Sequence, residues 1–535
     1  MVNASQLSEE EYFSGLSPDI AQLSGSARKK KIQELKTDDP LLWKQYVQDK
    51  RIFEASNVFF RESSRFQLVH SGKLNLYALF SETVLNLINS QGRAGIVVPT
   101  NIATDDTTKT FFDHLIQNDR LVSLYDFENR EGLFSAVHRS YKISLLTIGQ
   151  TTKPAEFLFF ATNTDHLQDE RRRYSLFGKE IRLFNPNTGT TPTFRTRVDA
   201  GLTRKIYEKA GVFFREKNEH GNPWMVKFRQ GLFNMTSDSG YFQTYSDLIG
   251  SGATFTSMTA RLPNGLVYLP LYEAKMVHHY DHRWATYDES GKETREVTDI
   301  EKANPEFQVR PRYWVPEKEV DERIQRVTDS FGKKREWLLG WRDIARSTDE
   351  RTVIAGVIPR VGTGDTFLLI FSERSTLEVS CLISNISSIS FDYASRQKVG
   401  GTHLKYFTMK QLPVFPPEAY SNEDLVFISK RVLELVYTTN DLTPFARDLG
   451  YEGPPFPWDS NRRAMLRAEL DAFYAKKYGL NRQELEFILD PADVYGEDFP
   501  SVTFPGLKKN ELREFGEYRT KRLVLEAWDN LFVDK

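Results

Sequence analysis

RAGIVVPTNIATDD, residues 93–106, decides how the first part of this chain is read. Residues 94–98, beginning at Ala94 and ending at Val98, are a short apolar run that predicts a fully buried strand. Pro99, a polar turn and the start of a helix follow, the exit expected of a strand in a parallel sheet. Such a strand needs a neighbour on each side, and the flanking sequence supplies elements of that kind. Upstream, LNLYALFSETVLNLINSQGRAG places Leu76, Leu79, Phe80, Thr83, Val84, Leu87 and Ile88 on one helical face, with Gly92 at the position of a C-terminal cap. Downstream, TKTFFDHLIQN reads as a helix, LVSLYDF as a strand and, after a loop with Gly132, KISLLTIG as another. Helix, strand, helix, strand, strand is an α/β pattern. It occupies only the first 150 residues or so, preceded by a charged helical lead-in with Pro40 near a helix start.

From about 155 to 420 the texture changes to short strands, aromatics and loop clusters such as NPNTGTTPT, RLPNG and PRYWVP. Beyond Pro417 it turns helical again, in SNEDLVFISKRVLELVY and NRRAMLRAELDAFYAKKYG. The expected fold class is therefore α/β plus mixed. Its domains are a partial α/β domain over 1–155, a connector over 156–200, a β-rich domain over 201–417 and a helical region over 418–535.

Composition narrows the function classes without choosing one. The 535 residues carry 71 basic and 73 acidic side chains, so net charge predicts no partner and any nucleic-acid surface must be local. A lone cysteine, Cys381, excludes a disulfide framework and a four-cysteine zinc site. The polar, acidic N-terminus predicts no secretory signal, and no apolar run is long enough to span a bilayer, so a soluble cytoplasmic chain with no membrane partner is expected.

Three segments carry candidate chemistry. The strand exit, with Pro99, Thr100, Asn101 and Asp105, lies where ligands sit in parallel sheets. YEAKMVHHYDHRWATY holds His278 and His282 four apart with Asp281, a metal-binding face if helical, though no glutamate base accompanies them and no metal is expected. It also holds Glu273 and Lys275, the Glu-x-Lys of a magnesium-dependent nuclease. FDYASRQKVGGTHLKYFTMKQLPVFPP concentrates Arg396, Lys398, His403, Lys405 and Lys410 with no acid from 396 to 410. There Gly400 and Gly401 permit close backbone approach to a phosphate. Lys275, His279 and Arg283 join that segment as expected contacts to double-stranded DNA. No phosphate-binding glycine loop, no G-x-S-x-G elbow and no Asp/Asn-Pro-Pro-aromatic tetrapeptide occurs; GPPFPW lacks the polar first residue.

In order along the chain, SGLSPDIAQ, LNLYALFSE, GRAGIVVPTNIATDDTTK, LVSLYDFENREGLF, PLYEAKMVHHYDHRWATY, FDYASRQKVGGTHLKYFTMKQLPVFPP, LRAELDAFYAKKYGL with ILDP, and FGEYRTKRLVLEAW resemble the γ-class adenine-specific DNA methyltransferases. The likeness is to the type IIG restriction-modification kind and their phage-defence relatives. The resemblance implies a Rossmann-like sheet binding S-adenosylmethionine, a loop that grips the amine of a flipped adenine, and a target-recognition domain over 201–417. It implies that residues 94–99 and 122–149 are the distal strands of that sheet, with Phe134 and Tyr141 candidates for packing behind the flipped base. The family's cofactor half and catalytic loop precede SGLSPDIAQ, so neither is expected on this chain. The expectation is a split enzyme, inactive alone, with S-adenosylmethionine on a companion polypeptide docked along the 94–98 strand. The alternatives are a non-catalytic DNA-binding protein, a nuclease using Glu273 and Lys275, and a product of a broken gene.

Overall fold

Residues 93–99 form a strand, β1 (Arg93–Pro99), in a five-stranded sheet with β2 (Leu121–Glu128), β3 (Lys142–Gly149), β4 (Ala155–Ala161) and β5 (Tyr174–Leu176). The order is β1-β3-β2-β4-β5. β3 runs antiparallel to both β1 and β2, while β2 and β4 are parallel. The expected fully buried strand is thus corrected: β1 is an edge strand, its residues alternate between exposed and half-buried, and only Val98 is buried. The inner strands behave as apolar runs should, with Leu124, Leu146, Ile148 and Phe157 fully or almost fully buried.

The computed structural model describes residues 7–72, 74–288, 290–332, 334–346, 348–399 and 401–532. Two compact units divide the chain, Met1–Arg197 and Val198–Lys535. In the first, the helical lead-in is borne out by α1 (Gly25–Asp38) and α2 (Pro40–Glu62). Pro40 opens α2, where its missing N–H costs nothing, and the Asp39 carboxylate caps the Leu42 amide at 3.0 Å. α3 (Leu76–Leu87) packs on β1 but buries Ala78, Leu79, Ser81, Glu82 and Leu85, leaving Phe80 and Leu87 exposed, so the expected apolar face is not the buried one. Gly92 lies in a turn after the helix rather than in its cap. α4 (Lys109–Gln117) buries Phe111, Phe112, Leu115 and Ile116. The unit also takes in β4 and β5, from the stretch expected to be a connector.

The second unit contains two antiparallel sheets. One is ordered β14-β13-β16-β6, from β6 (Val226–Gln230), β13 (Trp337–Arg342), β14 (Ala355–Pro359) and β16 (Phe367–Ser372). The other is ordered β12-β9-β8-β7, from β7 (Thr254–Thr256), β8 (Thr259–Arg261), β9 (Val267–Tyr272) and β12 (Trp314–Pro316), with β15 (Gly362–Thr363) parallel to β9. A hairpin, β10 (Ala285–Tyr287) with β11 (Thr294–Glu296), stands apart. Leu269 and Leu271 share one core with Leu338, Ile358, Phe367 and Leu369. α5 (Glu317–Thr328) follows β12 directly. The β-rich texture ends earlier than expected, because α6 (Thr376–Ser387) and α7 (Ile389–Arg396) are almost wholly buried helices. The expected helices beyond 417 are present, among them α8 (Asn422–Val436), α9 (Ser460–Lys477) and α10 (Arg519–Phe532). Among the described residues no helix is long and apolar enough to cross a membrane.

Candidate functional site

In the first unit the structure brings the strand exit and the base-packing candidates to one end of the sheet. Pro99 pairs with Ile143, and the Thr100 amide donates to Lys142 O at 3.3 Å. The loop carrying Phe134 and Tyr141 leads from β2 into β3 at Lys142. Thr100 is itself buried, hydrogen-bonded through its hydroxyl to Asp126 and to Ser144 at 2.9 Å. Asp126 also accepts the Phe160 amide at 3.1 Å, and burial raises its carboxyl above the ordinary range against the pull of Thr100 and Lys142. Asn101 and Asp105 close a turn: Asn101 donates to Asp105 at 3.3 Å, Asp105 accepts the Thr107 amide at 2.9 Å, and Thr108 donates to Asn101 O at 2.7 Å.

Asn129 holds the neighbouring loop and was not read from the sequence. Only 1% exposed, it donates to the carbonyls of Phe134 (3.0 Å) and Val137 (2.7 Å) and accepts the Phe134 amide at 2.9 Å. Gly132 supplies the left-handed residue the loop needs, at φ +77°. The clamped loop displays Leu133, Phe134 and Tyr141, each about two-fifths exposed. Phe160, also missed, adopts φ +62° and lies under two cations, Lys142 at 4.7 Å and Arg195 at 4.2 Å from its ring centre. The sequence did contain a signal: Asp126 is a polar residue inside the apolar LVSLYDF strand, and a buried carboxylate there requires partners. Asn129→Ala removes three hydrogen bonds and is expected to cost the loop about 1–3 kcal/mol. Amide exchange at Phe134 then speeds up by roughly ten- to a hundredfold, and unchanged exchange would show that Asn129 does not hold the loop.

The second unit corrects the expected cationic surface. Arg283 is fully buried and donates to the carbonyls of Lys302 (2.9 Å), Asn304 (3.0 Å) and Phe307 (3.3 Å). Arg396, at the end of α7, donates to Thr503 O, Asp349 O and Glu350 O. Lys398 donates to Gln411 O at 2.5 Å over the Tyr207 ring, and burial holds its ammonium well below the lysine range. His279 is 4% exposed, and burial next to Arg351 pushes its imidazole well below 6.5, so it is neutral. None of these four reaches a phosphate, because each is part of the interior. His403 and Lys405 are partly exposed but converge on the buried Asp343 carboxylate at 3.0 and 2.6 Å. Gly401 is exposed with open space around it, whereas Gly400 lies outside the described residues. Lys275 remains on the surface, 47% exposed, 3.7 Å from Glu273 and over the Tyr287 ring.

The histidine segment offers no metal face. His278 and Asp281 close a tight turn rather than a helix, His278 stacks on Trp284 at 4.3 Å, and His282 faces Asp441 at 3.1 Å. Among the described residues no group of three or more His, Cys, Asp or Glu side chains is arranged to hold a metal ion. Glu273 is engaged by the Tyr287 hydroxyl. No observation favours the nuclease reading.

Residues 46–134 match the family model of the Eco57I restriction-modification methylases, so over that stretch the resemblance read from the sequence is borne out. No curated protein matches the chain. Among solved structures, the chain is similar to the type IIG restriction endonuclease BpuSI at 14% identity and a TM-score of 0.28, covering 80% of this chain and 52% of that one. It is also similar to the type IIL restriction-modification enzyme MmeI, solved in complex with DNA, at 12% identity and a TM-score of 0.35, covering 90% and 52%. The chain thus spans about half the length of each.

Proposed function

We propose that this chain, whose residues 46–134 match the Eco57I restriction-modification methylase family model, is the DNA-recognition part of a site-specific adenine DNA methyltransferase. The system is one of restriction-modification or phage defence, and a companion polypeptide brings S-adenosylmethionine and the loop that grips the adenine amine. The observation that carries this reading is where the matched stretch falls. It takes in α3, β1 and the Asn129 loop as far as Phe134, and among the described residues β1 is paired along one edge only. Val97 on that strand is 60% exposed, and α3, packed on it, exposes Phe80 at 65% and Leu87 at 77%. An apolar edge strand with free N–H and C=O groups is a pairing site. A strand added there satisfies the backbone groups and covers apolar side chains in one step.

In this reading the methyl donor is held by the companion polypeptide and not by this chain. At the strand ends the side chains of Thr100, Asn101, Asp105 and Asp126 are engaged with one another or with backbone groups of the same unit. The reading assigns no step of methyl transfer to side chains of this chain. Its contribution in this reading is the sheet's distal strands, the base-packing loop with Phe134 and Tyr141, and DNA recognition by the second unit.

The test measures transfer of tritium from labelled S-adenosylmethionine to mixed-sequence duplex DNA by this chain, by the polypeptide encoded beside it, and by the two together. The expected result is transfer to adenine by the pair alone. Transfer by this chain alone, or none by the pair, overturns the reading.

A further inference from the structure

The interior fate of Arg283, Arg396 and Lys398 leaves open which side chains meet DNA, and the β7–β8 hairpin at the edge of its sheet offers another set. Thr254 pairs with Arg261 and Thr256 with Thr259 across the two strands. Phe255 and Ala260 face the other way, into a small core with Leu248 and Trp314. There the Phe255 ring lies edge-on to Trp314 at 5.3 Å and against Tyr245 at 4.7 Å. Because side chains alternate along a strand, Thr254, Thr256, Thr259 and Arg261 share the opposite face. Thr254, Thr256 and Arg261 are exposed and Thr259 is half-buried.

The composition of this hairpin is not that of an ordinary solvated face. The chain is 27% charged, yet Arg261 is the single charged residue from Leu248 to Tyr272. Edge strands that merely face water are commonly blunted by charge, lysine above all, whereas β7 carries Thr-Phe-Thr. Its outer row is one of hydroxyls and a single guanidinium. Among the described residues the hydroxyls of Thr254 and Thr256 and the guanidinium of Arg261 make no hydrogen bond or ion pair. The Thr259 hydroxyl donates to Thr256 O at 2.9 Å and keeps its lone pairs. The ribbon is also held at both ends. At the tip, Ser257 adopts φ +50° and its hydroxyl oxygen accepts from Gln308 Nε2 at 2.9 Å. At the base, β8 is anchored on β9 through the pairs Ala260–Tyr268 and Arg261–Val267. Uncommitted donors and acceptors are thus presented from a fixed backbone.

We infer that the β7–β8 hairpin is a base-reading ribbon of the second unit. It enters the major groove of duplex DNA, with Arg261 donating to guanine O6 and N7 and the Thr254 and Thr256 hydroxyls meeting base edges beside it. That groove, about 12 Å wide, admits a two-stranded ribbon, whose strands lie about 4.8 Å apart. The arginine fork matches the two guanine acceptors, and a hydroxyl, which both donates and accepts, meets either kind of base edge. No acid lies between Leu248 and Tyr272 to repel the phosphates on either side. This inference rests on the DNA-recognition reading above.

The experiment selects preferred sequences from a random duplex library with the full chain, then repeats the selection and measures affinity for Arg261→Ala, Arg261→Lys and Thr256→Val. Thermal unfolding serves as the folding control, since both side chains are exposed and valine keeps the branched shape a strand prefers. The expected result is a defined wild-type preference containing guanine. Arg261→Ala then weakens binding to the selected duplex by roughly ten- to a hundredfold and relaxes the preference at one position. Arg261→Lys keeps affinity for unselected duplex but not the preference, because a point charge cannot reproduce the fork. Thr256→Val costs about fivefold on the selected duplex and nothing on unselected duplex. If wild type selects a sequence and Arg261→Ala and Thr256→Val select it with equal affinity, the base-reading ribbon is overturned while DNA recognition stands. If Arg261→Ala weakens all sequences alike and flattens the salt dependence, the arginine is a phosphate contact and the base-reading role is overturned. If wild type sediments as a dimer that Thr256→Lys dissociates, and Arg261→Ala leaves the sequence preference unchanged, the edge pairs with protein and the ribbon reads no bases. If wild type binds no duplex at low salt, the DNA-recognition reading falls, and this inference with it.

Discussion

Asp392→Ala is expected to destabilise the second unit by about 3–5 kcal/mol, because it breaks a buried ion network from the middle. Asp392 on α7 is fully buried. It accepts Arg351 Nε at 2.9 Å, the amides of Thr352 and Val353 at 2.9 Å each, and Arg396 at 3.4 Å. Alanine leaves two amides without their acceptor and two guanidinium groups without their counter-charge, in a site water does not reach. Arg396 keeps its three carbonyl partners, so the cost falls mainly on Arg351 and the 352–353 backbone. Seven of the eight tryptophans lie in the second unit, so tryptophan fluorescence in a urea titration follows that unit almost alone. A midpoint shift worth less than about 1 kcal/mol would mean that the network contributes no more than an exposed ion pair.

Val97→Lys gives the second large effect, and it separates folding from assembly. The side chain is 60% exposed on an edge strand, so in the isolated chain the change should stay within about 0.5 kcal/mol of wild type. A strand docked on β1 would bury that lysine without a partner, which costs on the order of several kcal/mol. Methyl transfer by the reconstituted pair should then fall more than about a hundredfold, with the chain's own unfolding unchanged. Equal transfer by Val97→Lys and wild type would show that the open edge of β1 is not where the companion docks.

Much of the first unit was legible because its signals are local. The apolar runs at 94–98, 121–127 and 142–149 are strands, and the proline and polar turn after Val98 do end one. The region matched to the methylase family takes in three of the segments that carried the resemblance, LNLYALFSE, GRAGIVVPTNIATDDTTK and LVSLYDFENREGLF. What was not legible there was which strand lies beside which. β3 enters antiparallel between β1 and β2, and β1 becomes an edge, so an apolar strand that reads as buried is half in solvent. Period and composition describe a strand's two faces but not its two neighbours.

The candidate site divides along the same line. The turn at Asn101 and Asp105 was legible because a strand exit is a short-range feature, whereas Phe134 and Tyr141 were proposed only through the family resemblance. Asn129, which clamps that loop, looked like one more polar loop residue until its three partners were known.

By itself the sequence determined where the strands and helices of the first unit lie, the change of texture along the chain, and the family likeness of one stretch. Only the tertiary structure decided what each cation does. Arg396 and Arg312 are the same side chain in comparably basic, aromatic surroundings. Arg396 is drawn inward by carbonyls 46, 47 and 107 residues away in the chain, whereas Arg312 is left on the surface over Tyr313. Helical and strand periodicities act over a few residues. The partner that neutralises a charge is chosen by packing between distant segments, so no local pattern announces it.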